Sequence, residues 1–128
     1  MAQVSQSPVS KNIKIVIQEN FRRLISSLKK SSEVDLFLQD FLTKTEKIML
    51  AKRLAVAFML EKNYSYNEIE YILKVSPSTI AKIQQILESG KGYQVGVKKL
   101  MGQEELDMFW KEVRKMVHMI GKGKRVFG

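Results

Sequence analysis

The amino-acid sequence predicts an all-α protein with a core of its own. Apolar residues recur at intervals of three and four along most of the chain, which is the period of a helix buried on one side. No segment shows the strict apolar and polar alternation that is typical of a strand. All seven glycines lie from Gly90 onward, so the chain before that point carries no glycine break. With 128 residues, the chain is long enough for one domain without a disulfide or a metal.

Composition narrows the environment and the partners that we expect. The chain has no cysteine, which excludes disulfides and thiolate metal sites and fits a reducing compartment. We expect no secretory signal, and no apolar run approaches the ~20 residues of a membrane span. Twenty-two Lys and Arg residues against 13 Asp and Glu give a net charge of +9, which favours a polyanionic partner such as nucleic acid. The alternative is a basic protein whose charge serves solubility alone.

Two helices are predicted in the first third of the chain, after a polar segment, residues 1–11, that we expect to be disordered. The first helix runs from Asn12 to about Lys30, with a stripe formed by Ile13, Ile17, Phe21, Leu24 and Leu28. Ser32 is expected to cap a short second helix that ends at Leu42. That helix carries so many large apolar residues that another surface must cover them.

A long third helix is predicted from Thr43 to about Lys62. Thr43 and Glu46 have the spacing of a capping box, and Asn63 is a plausible C-terminal stop. The segment IMLAKRLAVAFML, residues 48–60, is apolar on most sides, which is typical of a buried helix.

The segment from Ser65 to Leu87 predicts two short helices joined by a tight turn. Ser65 and Glu68 again have the capping-box spacing, and Ser76 followed by Pro77 is a second helix start. The first helix has an apolar face at Ile69, Ile72 and Leu73, and the second has one stripe, Ile80, Ile83 and Leu87.

This pattern is typical of a helix-turn-helix, although an ordinary helical hairpin in an all-α core is the alternative. In a helix-turn-helix the second helix enters the major groove and its N-terminal residues contact base edges. On this interpretation the residues that contact DNA are Ser65, Asn67, Ser76, Pro77, Ser78, Thr79, Ala81, Lys82 and Gln85.

Beyond Gly90 the sequence predicts a short helix from Tyr93 to Met101 and a final helix from Gln103 to Ile120. We therefore divide the chain into a helix-turn-helix domain, residues 12–101, a C-terminal helix, residues 102–120, and a basic tail, residues 121–128. The tail is expected to contact DNA phosphates through Lys122, Lys124 and Arg125.

The residues from Phe41 to Tyr93 resemble the bacterial Trp repressor superfamily. The features that match are Leu42-Thr43, Arg53, Tyr64-Ser65, Glu68-Ile69 and Ser78-Thr79-Ile80. The closing GKGY, residues 90–93, is more similar to the tryptophan-independent relatives than to the tryptophan sensor. The resemblance covers under half of the chain by motif.

The resemblance implies a Trp repressor-like multi-helix domain that binds double-stranded DNA as an intertwined homodimer. A second chain would then cover the apolar residues of the first two helices, because symmetric oligomers pair identical patches. The alternative is that these helices fold back on the chain's own long helix. The expected dimer core lies within residues 13–60 and includes Phe37, Phe41, Leu54 and Phe58.

The sequence departs from the tryptophan sensor where the resemblance would place the corepressor. Arg53 matches one of the two arginines that hold the indole, but Lys82 stands in place of the other. Ile83 and Ile86 stand where the sensor has a small glycine and a serine. We therefore expect no tryptophan corepressor. Glu70 and Lys74 also depart from the small residue and the turn glycine of a typical helix-turn-helix.

No catalytic constellation is found, so we expect no enzyme, no metal and no cofactor. His118 is the single histidine, and it stands among apolar residues of the last predicted helix. Glu104, Glu105 and Asp107 are explained by the favourable dipole at a helix start.

Taken together, the sequence favours a bacterial, cytoplasmic and nucleoid-associated transcriptional regulator that recognises DNA sequence. A protein-interaction adaptor and an RNA-binding protein are the alternatives.

Overall fold

The structure, a computed structural model, describes residues 9–121, and of Glu104, Glu105 and Gly121 it describes the backbone alone. These residues form seven helices and no strand, which confirms the all-α prediction. The helices are α1 (Lys11–Ser27), α2 (Ser31–Phe41), α3 (Lys44–Glu61), α4 (Tyr66–Leu73), α5 (Pro77–Ser89), α6 (Gly92–Leu100) and α7 (Glu104–Gly121). The chain divides into two compact units, Met1–Lys44 and Thr45–Gly128.

Serine side chains set both limits of α1. A serine was also predicted to cap the start of α2, but none does. Ser10 caps α1 by accepting a hydrogen bond from the Ile13 backbone N–H at 3.3 Å. The hydroxyl of Ser27 donates to the Leu24 carbonyl, 2.7 Å away, and α1 ends there, three residues before Lys30. Such side-chain bonds compete with the helix ladder. The predicted cap at Ser32 is wrong, because α2 already begins at Ser31 after an N-cap residue that makes no side-chain cap bond.

The first unit exposes most of its apolar side chains. Three phenylalanines stack, with ring centroids 4.8 Å apart for Phe37 and Phe41 and 5.6 Å apart for Phe21 and Phe41. Even so, α1 and α2 contain no buried residue, and Phe41 is 54% exposed and Leu36 is 64% exposed. A single chain therefore leaves the apolar faces of these two helices open to water.

The long helix α3 is buried only at its C-terminal end. Residues 56–60 join the core of the second unit, whereas Ile48, Met49 and Leu50 are each about half exposed. Within a single chain, the prediction of a buried helix is therefore wrong for residues 48–50. The reason is that the core contributed by α4 to α7 meets α3 only at its last turns.

Asn63 ends α3 as predicted. Its φ of 65° is left-handed, a conformation that asparagine tolerates better than most residues. Its N–H donates to the Leu60 carbonyl, and the N–H of Tyr64 donates to the Met59 carbonyl, both at 3.0 Å. These two bonds form a Schellman motif, which satisfies carbonyls that the helix end would leave unpaired.

The core of the second unit combines the end of α3 with buried residues from each later helix. Its residues are Val56, Ala57, Phe58, Met59, Leu60, Ile69, Ile80, Ile83, Leu87, Val97, Leu106, Trp110 and Val113. The buried stripe of α5 is the predicted one, and α7, which packs against α4, contributes Leu106, Trp110 and Val113. Within residues 9–121, none of the helices has both the length and the hydropathy required of a membrane span.

Some expectations fall outside the described part of the chain. These are the tail contacts expected for Lys122, Lys124 and Arg125, and residues 1–8 of the segment 1–11 that was expected to be disordered. At the end of that segment the expectation is wrong, because Ser10 caps α1 and Lys11 belongs to it. The division at residues 101 and 102 also stays a prediction.

Two isoleucines of α5 allow the core assignment to be tested within one helix. Ile80 is fully buried and Ile86 is 51% exposed. We expect Ile80→Ala to lower the free energy of unfolding by about 2–5 kcal/mol, because it removes buried methyl groups and leaves a cavity. Ile86→Ala is the matched control and should change it by at most about 0.5 kcal/mol. Urea unfolding at one protein concentration measures both, and equal effects would contradict the assignment.

Candidate nucleic-acid interface

The first helix of the predicted motif, α4, begins with the capping box that the sequence indicated. The Glu68 backbone N–H donates to the Ser65 hydroxyl at 3.1 Å, and the Ser65 N–H donates to the Glu68 carboxylate at 2.8 Å. Two backbone donors that a helix start would leave unpaired are thereby satisfied. This pair of bonds fixes the first turn of α4 and leaves Ser65 and Asn67 exposed.

The turn between α4 and α5 contains a lysine in a conformation that usually belongs to glycine. Lys74 has φ 56° and ψ 51°, and its N–H donates to the Glu70 carbonyl at 2.9 Å. The left-handed conformation costs ~1–2 kcal/mol for a residue with a Cβ. The Lys74 ammonium lies 4.5 Å from the centroid of the Tyr71 ring, a contact that offsets ~0.5–1 kcal/mol. Lys52 of α3 also donates to the Lys74 carbonyl at 3.4 Å. The turn therefore forms although the glycine is absent.

Three hydroxyl groups meet at the N-terminus of α5. The Thr79 backbone N–H donates to the Ser76 hydroxyl at 3.2 Å, which confirms Ser76 as the cap. The Ser76 hydroxyl donates in turn to Thr79 Oγ1 at 3.0 Å and lies 3.1 Å from the Ser78 hydroxyl. Because a hydroxyl has one donor and two acceptor positions, Thr79 keeps its own hydrogen as a donor. The helix start thus presents small hydroxyl groups in a fixed arrangement.

The residues of α5 that the sequence assigned to DNA contact are brought to one side of the helix. At 100° per residue, Pro77, Ser78, Ala81, Lys82 and Gln85 lie within 140° of each other, away from the buried stripe. All five are exposed, and Thr79 at the edge of this side is half-buried. Glu88 lies on the same side near the helix end, where its carboxylate accepts from Gln84 at 2.7 Å. We call this exposed side, from Pro77 to Gln85, the polar face of α5.

Sequence reasoning missed two residues that contribute to this region, Lys52 and Tyr71. Lys52 reaches the turn from a position 22 residues away in sequence, so no local spacing indicates the contact. Tyr71 stands three residues before Lys74, and this helical spacing is the only signal for their contact.

A small pocket lies beside the turn. Its volume is about 240 Å³, and it is lined by Met49, Lys52, Arg53, Val56, Lys74, Val75, Ser76 and Thr79. Three cationic side chains and the start of α5 favour an anionic group in it. The pocket is smaller than the ~300–1,000 Å³ of typical small-molecule sites.

The two isoleucines that replace small residues of the tryptophan sensor differ in their placement. Ile83 is 3% exposed and packs in the core, as expected. Ile86 is 51% exposed, so it stands on the helix surface and does not fill the core beside Ile83. The reason is the helical repeat, which turns position 86 away from the buried stripe.

The family model described as Trp repressor protein matches residues 18–103, which is well over half of the chain. The searches of curated proteins and of solved structures found no match. The matched range ends before α7 begins and includes the capped helices α4 and α5 with the turn between them. Proteins of this family are DNA-binding regulators and not enzymes. The match and the seven-helix all-α architecture together show that this chain belongs to the Trp repressor family.

Proposed function

We propose that this protein is a sequence-specific transcriptional regulator that binds double-stranded DNA as a homodimer, without tryptophan as corepressor. Family membership implies a DNA-binding regulator. The observation that carries the finer proposal is the polar face of α5, which stands opposite a stripe buried in the core. A helix anchored by its buried stripe can enter a DNA groove without being displaced from the protein core.

The N-terminal part of α5 supplies the groups that read bases. The B-DNA major groove is ~12 Å wide and admits one helix, and serine and threonine hydroxyls hydrogen-bond several base edges. The Ser76 hydroxyl already contacts those of Ser78 and Thr79, so little side-chain freedom is lost on binding. The Gln85 amide can donate one hydrogen bond and accept another, and the major-groove edge of adenine offers an acceptor and a donor side by side. The exposed methyl of Ala81 suits contact with a thymine methyl group.

A further set of cationic and polar residues contacts the phosphate backbone of the DNA. Ser65 and Asn67 are exposed at the start of α4, where backbone N–H groups and the helix dipole favour phosphate. Lys82 stands at the edge of the polar face and reaches phosphates or bases. The tail residues Lys122, Lys124 and Arg125 add phosphate contacts of the same sequence-independent kind. The net charge of +9 supports this attraction over the whole chain.

A second copy of the chain is the occupant that we propose for the exposed apolar faces. The large apolar residues exposed in α1, α2 and the start of α3 are Ile13, Ile15, Val16, Ile17, Phe21, Leu24, Ile25, Leu36, Phe41, Ile48, Met49 and Leu50. Monomeric proteins rarely expose contiguous apolar patches of more than a few hundred Å². Two copies related by a two-fold axis bury the same residues on each, and they present two recognition helices to two half-sites.

Two other functions use the same features differently. An adaptor would use the apolar faces without DNA, and an RNA-binding protein would depend on the basic tail. Titration with random duplex DNA, random single-stranded DNA and RNA, each at two salt concentrations, separates the three. Tightest binding to the duplex supports our proposal, and under that proposal the protein acts in the cytoplasm, associated with the nucleoid. An adaptor would bind none of them, and an RNA-binding protein would prefer RNA.

Thr79 and Lys82 should separate base reading from phosphate contact. With a duplex selected from a random library, Thr79→Ala should weaken discrimination at one base pair by ~1 kcal/mol or more, because a donor to a base edge is lost. Lys82→Ala should weaken all sequences alike. Thr79→Ser keeps the hydroxyl and is the matched control. If Thr79→Ala and Lys82→Ala both bind every sequence as the parent does, the assignment of this face is wrong.

Phe41 should be central to the homodimer. Light scattering of the parent at tens of micromolar should give twice the chain mass of 14.8 kDa. Phe41→Ala should weaken association by ~3 kcal/mol, about a hundredfold in the dissociation constant, because a ring buried between two copies is removed. Met108→Ala, at a residue of α7 that is 72% exposed, is the control and should leave the mass unchanged. A well-folded monomer of the parent at this concentration contradicts the proposal.

Free tryptophan should not regulate the protein. Lys82 lacks the flat guanidinium that stacks on a ring, and Ile83 occupies core volume that a small residue would leave open. Burying the ligand's amino group without a hydroxyl partner would cost a further ~1–3 kcal/mol. Calorimetry with millimolar L-tryptophan should therefore show no saturable binding, and DNA affinity should be the same with and without it. A tenfold increase in DNA affinity on saturation would contradict this.

A further inference from the structure

The last helix, α7, lies beyond the segment that matches the family, yet it contributes to the core of the second unit. It spans Glu104–Gly121, whereas the family match ends at residue 103. Leu106, Trp110 and Val113 are each less than 9% exposed and join the same cluster as Ile69 of α4 and Ile80 of α5. An element whose removal would open this core cannot be a passive extension.

Trp110 contacts two side chains of the connection that leads from α3 into α4. Its indole stacks on the Tyr64 ring, with centroids 6.0 Å apart and an angle of 11° between the planes. The ammonium of Lys62 lies 5.7 Å from the centroid of the indole. Phe109 supports the arrangement, because its ring meets Trp110 edge-on at 4.9 Å and lies 6.2 Å from Phe58 of α3. Aromatic and cation–π contacts of this kind depend on flat ring faces, not on apolar volume alone.

The connection that Trp110 contacts determines where α4 begins. Tyr64 stands between Asn63, which has a left-handed backbone, and Ser65, which caps α4. Only these few residues separate the end of α3 from the first turn of α4. A group that fixes Tyr64 therefore fixes the position of Ser65, and with it the direction of α4.

We propose that Trp110 is a positioning residue, through which α7 holds the α3–α4 connection and so orients the helix-turn-helix toward DNA. This inference rests on the proposed function. Because α4 packs against both α5 and α7, a displaced α4 moves the polar face of α5 as well. Phosphate contacts tolerate such a shift, whereas base-edge contacts do not, since only the latter require groups in register with one base pair.

The test compares replacements of Trp110 that keep or remove the flat ring. Trp110→Leu keeps an apolar side chain and loses the stack, whereas Trp110→Phe keeps an aromatic face for Tyr64 and Lys62. The readout is the ratio of affinities for a duplex selected by the parent from a random library and for a random-sequence duplex. We expect Trp110→Leu to lower this ratio at least fivefold, and Trp110→Phe to stay within twofold of the parent. Met108→Leu on the exposed side of α7 is the control.

A second readout follows the connection itself, without DNA. Amide hydrogen exchange at Tyr64, Glu68 and Ile69 should become at least tenfold faster in Trp110→Leu and stay near the parent value in Trp110→Phe. These amides donate the hydrogen bonds that end α3 and begin α4, and their exchange reports local opening. If Trp110→Leu does not fold at the assay temperature, Tyr64→Leu replaces it, with Tyr64→Phe as its ring-retaining control.

The outcomes separate this proposal from the proposed function. Unchanged exchange at the three amides overturns the role of Trp110, whatever the DNA result. An unchanged affinity ratio in a folded Trp110→Leu protein also overturns it, and leaves α7 a purely stabilising part. If the parent itself selects no duplex, the proposed function fails, and the exchange experiment alone then decides whether Trp110 holds the connection.

Discussion

Burial of one apolar stripe on α5 is the interaction on which the rest of the candidate interface depends. Ile80, Ile83 and Leu87 enter the core of the second unit. Because a helix is rigid, burying these three residues also fixes the direction in which its other sides face. The polar face is exposed because it lies on the side of α5 opposite this buried stripe. The hydroxyl groups at the start of the helix, and the lysine and glutamine further along, therefore acquire their common direction from apolar packing rather than from any contact of their own.

Local signals in the sequence were enough to predict this part of the fold. The capping residues Ser65 and Ser76 act on backbone groups three residues away, and Asn63 acts on the helix end directly before it. Interactions of this range depend little on the remainder of the chain, so they can be inferred from spacing. Buried stripes could be predicted for the same reason, because helical periodicity shows which residues share a side.

Contacts between distant residues could not be predicted in this way. Nothing near Lys52 indicates that it reaches the Lys74 carbonyl, and nothing near Tyr64 indicates a ring on α7. The extent of burial along α3 also depends on which helices of the chain pack against it. Residues 48–50 have the composition of a buried segment, but no other described part of the single chain buries them. For the polar face, sequence reasoning identified the exposed residues, but the base that each would contact under the proposed function depends on the bound DNA.

The placement of Trp110 and of the tyrosines also gives the two units different optical properties. Trp110 is the single tryptophan, and the four tyrosines are Tyr64, Tyr66, Tyr71 and Tyr93, so every strong near-ultraviolet chromophore belongs to the second unit. Phenylalanines alone represent the aromatic residues of α1 and α2. Near-ultraviolet absorbance and indole emission therefore follow the second unit, whereas far-ultraviolet dichroism follows all of the helices. Comparing the two signals during denaturation would reveal whether the units unfold together, with no label added to the chain.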